Sequence, residues 1–267
     1  MNSYFQMLRI KHWLGFFLMS TLGFLISKGF LHSFQEIFIF YLMVFLYLGF
    51  GFSINNCFDI KEDELSGKKN PIVLKELSFK KGLIFSLSLA FFGIVLSLFF
   101  KFQVFLLYFI MVLMAFSYSA PPLRFKSRFL LDLISHGLFA GSFLFLLPLI
   151  IFAPELTWFH YTIIFSIFYF SMISELRNHI EDYENDKKAN LKTTVCVLGL
   201  KKSKKLVNLL IILFPSFLLP LFFQKNFLHF LIITMLFYLI FSIKKNYRIL
   251  DVYTNISYGL VLMGILI

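Results

Sequence analysis

Charge is scarce in this sequence. Asp, Glu, Lys and Arg make up 15% of its 267 residues, and mean hydropathy is +0.83. Soluble globular domains carry about 25% charged residues, so a soluble fold is excluded. Cysteine is scarcer: Cys57 and Cys196 are the only two. They lie without paired ligands nearby, which excludes a disulfide scaffold and argues against a zinc or iron–sulfur centre. Long polar connections are also missing on one side of the apolar runs. Segments 30–36, 100–103, 153–157 and 223–227 leave no room for an external domain. Acidic residues number 14 against 25 Lys and Arg, a net charge of +11. In a soluble chain that excess would suggest a nucleic-acid partner. Here topology accounts for it and no nucleic acid is expected.

What the chain does have is apolar runs near the length needed to cross a bilayer, about 17–25 residues. They predict an all-α polytopic membrane protein with nine spans, near 13–30, 36–55, 82–100, 103–118, 130–152, 157–178, 206–223, 227–243 and 250–267. Arg9 and Lys11 precede an apolar run too long for a signal-peptide core, so the first span is expected to be retained. Of the 25 Lys and Arg, all but Lys28, Lys101 and Lys225 fall before span one, at the end of span six, or in the loops after spans two, four, six and eight. The positive-inside rule then puts the N-terminus and those loops in the cytoplasm. The longer loops, 59–81, 119–130 and 179–205, are all on that side, so function is expected at the cytoplasmic face. Residues 1–267 read as one domain with no linker or low-complexity tract. The 40 phenylalanines are read as packing and lipid-facing residues.

The few acidic residues are concentrated. Nine of the 14 fall in two segments, Ser53–Glu64 and Glu175–Asp186. The first carries Asn55, Asp59 and Asp63 at four-residue spacing. The second carries Asn178, Asp182 and Asp186, the same pattern 123 residues later. That spacing puts three side chains on one helix face. Each stripe closes an apolar run, one at span two and one at span six. Four spans separate them, which suggests a parallel repeat of four helices with spans two and six facing across a central cavity. Carboxylate and amide oxygens suit Mg²⁺ bridging to substrate phosphates. His179 offers no second nitrogen ligand at useful spacing, so zinc is not favoured. The loop from Tyr118 to Arg128 supplies opposite charge. Pro121 and Pro122 stiffen it, and Arg124, Lys126 and Arg128 alternate. Lys68, Lys69, Lys187, Lys188 and Lys192 add to the field. Carboxylates facing Lys and Arg at a membrane face fit a diphosphate held through Mg²⁺.

At these motifs the chain resembles the UbiA superfamily of intramembrane prenyltransferases. That family carries an N-D-x-x-D-x-x-x-D motif after its second helix, D-x-x-x-D after its sixth and a Y-S-x-x-P-x-R-x-K type loop after its fourth. Here these read Asn55 to Asp63, Asp182 to Asp186 and Tyr118 to Lys126. The run Lys68 to Val73, Lys192 to Thr194, Leu198-Gly199 and the opening Leu8 to Trp13 also fit. The resemblance implies nine helices around a cavity open to the cytoplasmic face, with two Mg²⁺ ions binding a prenyl diphosphate. An allylic cation forms, and a hydrophobic or aromatic, quinone-precursor or lipid acceptor attacks it. By carry-over Asn55, Asp59, Asp63, Asp182 and Asp186 hold metal, joined by Asn178 from its spacing. Arg124, Lys126, Tyr118, Lys68, Asn55 and Asn178 contact substrate. Two departures stand out. Asn56 replaces the usual second-position Asp, which is expected to weaken metal binding, and Lys75 stands where relatives often have Gly.

Asp132 and His136, four apart in span five, are placed on the acceptor side as a pair. A carboxylate near the cation and a His taking the acceptor's proton are possible roles, against a helix-packing hydrogen bond beside Gly137. Glu175 and Arg177 are expected to pair structurally. Two other functions use the same features. A membrane terpene cyclase needs the same diphosphate ionisation without an acceptor. A transporter or channel would need acidic residues deep in several spans, and beyond Asp132 there are few. The expected location is integral, in a bacterial or archaeal cell membrane.

Overall fold

The computed structural model describes residues 3–223, 225–244 and 246–266. All regular structure among them is helical. After a short α1 (Ser3–Met7) come α2 (Leu14–Ile26), α3 (Phe34–Phe58), α4 (Ile60–Leu65), α5 (Phe79–Ser97) and α6 (Phe102–Ser119). The second half holds α7 (Leu131–Phe152), α8 (Trp158–Glu181), α9 (Tyr183–Lys188), α10 (Thr194–Leu198), α11 (Leu200–Phe222), α12 (Phe227–Lys244) and α13 (Ile249–Ile265).

Seven of these helices, α3, α5, α6, α7, α8, α11 and α12, are long and apolar enough to cross a membrane. Each falls on an expected span. The other two expected spans correspond to α2 and α13, which are shorter. At 13 residues α2 rises about 20 Å. It stops at Ile26 because Lys28 turns left-handed (φ 56°). The last expected span runs to Ile267, which lies outside the described residues.

Helix starts follow local chemistry. Ser33 and Glu36 form a reciprocal capping box on α3: the Glu36 amide donates to Ser33 Oγ at 3.3 Å, and the Ser33 amide to Glu36 Oε2 at 3.1 Å. Ser78 caps α5 and Thr193 caps α10 in the same sense. Inside α7 the residues Gly137–Ser142 form a π-helical turn, a deformation common near functional sites. A Cβ on Gly141 would lie 2.7 Å from the Ser171 Cβ, so the glycine lets α7 and α8 approach closely.

Two apolar cores are built side by side. One gathers Met43, Tyr47, Phe50, Tyr108 and Met111 from α3 and α6. The other gathers Ile167, Leu176, Ile211, Phe214 and Tyr253 from α8, α11 and α13. Both α2 and α7 contribute to each core. Large apolar side chains also point outward, such as Phe92, Leu98, Met235 and Ile243. An apolar exterior around satisfied helices is what a bilayer selects, and the protein is an integral membrane protein.

Candidate active site

The two stripes have the same local structure. At the end of α3, Asp59 leaves helical geometry (φ −97°, ψ 21°) and starts α4. At the end of α8, Asp182 does the same (φ −90°, ψ 3°) and starts α9. The four-residue hydrogen bonding nevertheless runs through both breaks. The Asp59 amide donates to Asn55 O at 2.9 Å and the Asp63 amide to Asp59 O at 2.8 Å. The Asp182 amide donates to Asn178 O, and the Asp186 amide to Asp182 O, both at 2.9 Å. Each short helix then ends on a left-handed residue, Gly67 (φ 65°) or Asn190 (φ 60°). The Lys68 amide returns to Asp63 O at 2.9 Å, and the Leu191 amide to Asp186 O at 3.0 Å. The repeat therefore extends from Asn55 to Lys68 and from Asn178 to Leu191 at one constant offset. The two short helices pack together, and Lys61 Nζ donates to Ala189 O at 3.4 Å.

All six stripe residues line one cavity of about 580 Å³. Tyr118, Lys68, Lys126 and His136 join them, with Glu175, His179, Arg9 and His12. Seven carboxylates face three Lys or Arg side chains in that wall. Half of the chain's acidic residues thus share one hole. Asp59, Asp63 and Asp186 are buried. Each aspartate rests on a single protein partner. Lys126 Nζ contacts Asp59 and lies 3.6 Å from Glu62. Asn70 Nδ2 donates to Asp63 Oδ2 at 2.8 Å. Lys68 reaches Asp182 at 3.6 Å, and His179 Nδ1 lies 3.1 Å from Asp186 Oδ2. Burial pushes the Asp59 carboxyl up from its usual range; Lys126 opposes that shift, and Glu62 and Asp63 add to it.

The wall fits a hard divalent cation in chemistry. Its donors are carboxylate and amide oxygens, and negative charge outnumbers positive. Among the described residues the buried Glu62 Oε2 has no hydrogen-bond partner. Among the described residues no three His, Cys, Asp or Glu side chains close on one point.

The remaining expected residues divide. Arg124 is not in the wall: it contacts Glu62 and donates to Phe58 O at 3.2 Å, so it acts through a residue that is. Asp132 is not in the wall either. Its oxygens accept from the Thr194 amide at 2.6 Å, Thr194 Oγ1 at 2.5 Å and the Leu133 amide at 2.9 Å. It anchors α10, and it does not pair with His136. His136 does line the cavity, with Nε2 3.4 Å from Glu175 Oε2.

Glu175 is the residue that sequence reasoning missed. Tyr118 Oη donates to it, Asn178 Nδ2 donates at 3.1 Å, and His179 Nε2 lies at 3.2 Å. The expected Glu175–Arg177 pair is absent. Arg177 turns away to Asp251 at 2.8 Å and Tyr247 O at 2.9 Å. A signal was present, since Glu175, Asn178 and Asp182 stand at i, i+3 and i+7 on one helix face. Asn56 also differs from expectation. Its Nδ2 donates to Met7 O at 3.0 Å and it does not enter this wall, so the missing charge is not lost from the cavity. Lys75 is left-handed (φ 60°), which explains a preference for Gly at that position.

Comparison with known proteins identifies the family and the fold. The model of the UbiA prenyltransferase family matches residues 16–255. Digeranylgeranylglyceryl phosphate synthase of Saccharolobus solfataricus is 29% identical over 251 residues, 89% of this chain and 83% of that protein. The protein of the same name from Methanococcus maripaludis is 33% identical over 99 residues, 37% of this chain and 36% of that one. A solved UbiA homolog from Archaeoglobus fulgidus bound to GPP and Mg²⁺ superposes with a TM-score of 0.75, covering 99% of this chain and 98% of that one at 23% identity. At that identity the likeness concerns the fold.

Proposed function

The chain belongs to the UbiA prenyltransferase family, and on that premise we propose that it moves a prenyl group from a prenyl diphosphate to the hydroxyl of a lipid acceptor, with Mg²⁺ held between the two stripes. The observation that carries this reading is the acidic cavity shared by two stripes with the same backbone hydrogen-bond pattern. Relatives named digeranylgeranylglyceryl phosphate synthase favour a glyceryl phosphate lipid over an aromatic acceptor.

Asn55, Asp59, Asp63, Asn178, Asp182 and Asp186 would hold the metal. Bound there, Mg²⁺ would neutralise the diphosphate and stabilise its departure. Lys126 is the counter-ion of Asp59. Its ammonium would also reach a phosphate oxygen of the bound diphosphate, with Lys68 and Tyr118 in the same wall. Arg124 holds Glu62 in place. The C–O bond to the diphosphate breaks with its electron pair, leaving an allylic cation. Phe16, Phe52 and Phe139 line the cavity and would give the cation and the chain aromatic, apolar surroundings. The acceptor oxygen forms the new C–O bond, and its proton passes to the departing diphosphate.

Counting α2 and α13, the chain makes nine crossings around this cavity as a single domain. The Lys and Arg asymmetry supports a cytoplasmic N-terminus and a cavity open to the cytoplasm. Archaeal relatives support an archaeal or bacterial cell membrane.

The test is a panel of prenyl diphosphates of rising length, incubated with purified protein, Mg²⁺, and either geranylgeranylglyceryl phosphate or aromatic acceptors. Mass spectrometry should find a diprenyl glyceryl phosphate that needs both Mg²⁺ and the lipid. A cyclic hydrocarbon formed without acceptor would assign a cyclase instead.

A further inference from the structure

A second cavity of about 830 Å³ opens beside the first, between the N-terminal segment and the 67–76 loop. Its charge is opposite. Arg9, Lys11, Lys68 and Lys69 line it with His12, against Asp63 and Glu76. Both acids are already engaged: Asp63 accepts from Asn70 at 2.8 Å and Glu76 from Ser3 Oγ at 3.3 Å. Among the described residues neither Lys11 nor Lys69 is paired with a carboxylate, while Lys68 reaches Asp182 across the boundary. Arg9, His12, Asp63 and Lys68 belong to both walls, so the two cavities adjoin.

We propose that this basic cavity receives the phosphate monoester of an amphiphilic acceptor whose free hydroxyl reaches the acidic cavity next door. The proposal rests on the prenyl-transfer reading above. Three observations carry it. The acidic cavity favours cations, so a phosphate entering there needs metal, whereas the basic cavity binds an anion directly. No residue of the second stripe lines the basic cavity, so it does not receive a diphosphate held between both stripes. Its wall also carries exposed Phe5, Ile10 and Leu74, which suit a hydrocarbon chain lying at the membrane face.

The positive-inside rule accounts for the number of these cations but not for their convergence on one hole adjoining the reaction site. The field is felt locally: partial burial, Arg9 and Lys68 hold His12 below the usual imidazole range. Arg9 is also left-handed (φ 49°), an uncommon conformation for its type, immediately before the short turn that carries Lys11 and His12.

Binding of radiolabelled geranylgeranylglyceryl phosphate and of its dephosphorylated counterpart, geranylgeranylglycerol, is measured on detergent-solubilised full-length protein without Mg²⁺. The proposal expects the phosphorylated lipid to bind about tenfold tighter or more. Millimolar inorganic phosphate should compete. Equal binding of the two lipids overturns the proposal without any variant. In turnover, K11Q/K69Q should raise KM for the phosphorylated acceptor about tenfold and leave KM for geranylgeranyl diphosphate unchanged. A rise in the diphosphate KM instead would assign the cations to the donor and overturn the proposal. Anionic vesicle lipid that competes as well as the acceptor would assign them to the bilayer surface, also against it. Absence of diphosphate release in every arm contradicts the prenyl-transfer reading, while the binding comparison still decides this one.

Discussion

Asp59 and Asp182 break their helices in the same backbone conformation, and each accepts the amide of the aspartate four residues on. A break that keeps its hydrogen bond turns the chain without losing the face. That is why Asn55 and Asp63 still line the same cavity, and Asn178 and Asp186 likewise. Two copies of one device, packed against each other through α4 and α9, make a single site rather than two.

Lys126 is the cation that sits on Asp59 and near Glu62. Breaking a buried ion pair from one side costs about 3–5 kcal/mol. K126M should therefore lower Tm markedly in metal-free buffer. A divalent cation at 100 times its Kd returns about 2.7 kcal/mol. Mg²⁺ should raise the Tm of the variant more than that of the wild type, by differential scanning fluorimetry. An unchanged Tm in both proteins on adding Mg²⁺ would contradict a metal site in this wall.

Asn56 donates to Met7 O and stands outside the acidic cavity. Replacing it by Asp restores the residue usual in relatives, yet it sets a carboxylate against a carbonyl oxygen. N56D should lose about 1–3 kcal/mol of stability and leave the Mg²⁺ concentration for half-maximal activity unchanged. A severalfold tighter Mg²⁺ requirement would show that position 56 reaches the metal after all.

Asp132 spends its oxygens on Thr194 and Leu133. In D132N an amide NH₂ must face one of these donors, or the side chain must give one up. The expected result is a Tm loss worth about 1–3 kcal/mol, with KM for donor and acceptor close to wild type. A fall in kcat at unchanged Tm would move Asp132 into the chemistry.

Much of this was readable from the chain. The long helices announce themselves because an apolar run of bilayer length has few other places to go, and the stripes because four-residue spacing is the helix's own period. The overlap of Leu14–Ile26 with the longer expected span 13–30 shows the limit: hydropathy does not register the left-handed turn at Lys28 that ends the helix. The partner of Asp132, Thr194, is not legible in the sequence because it lies 62 residues away on another element. Glu175 was passed over because the neighbouring Arg177 looked like its partner. Helical positions two residues apart face different directions, and only the packing of α8 against α6 and α7 decides which one meets Tyr118 and His136. The basic cavity was invisible for a related reason, since α1 and the 67–76 loop meet only in the folded chain.

The central claim is that the two stripes act as one magnesium–diphosphate site. The direct measurement is Mg²⁺-dependent diphosphate release from geranylgeranyl diphosphate in the presence of acceptor, for wild type, D59N, D182N and the double variant, each assayed below its own Tm and normalised to folded protein. Each single variant should lose about a hundredfold or more in kcat/KM, and the double variant should be little worse than either, because groups acting as one unit are not additive. Full activity in either single variant, or losses that multiply in the double, would contradict the account.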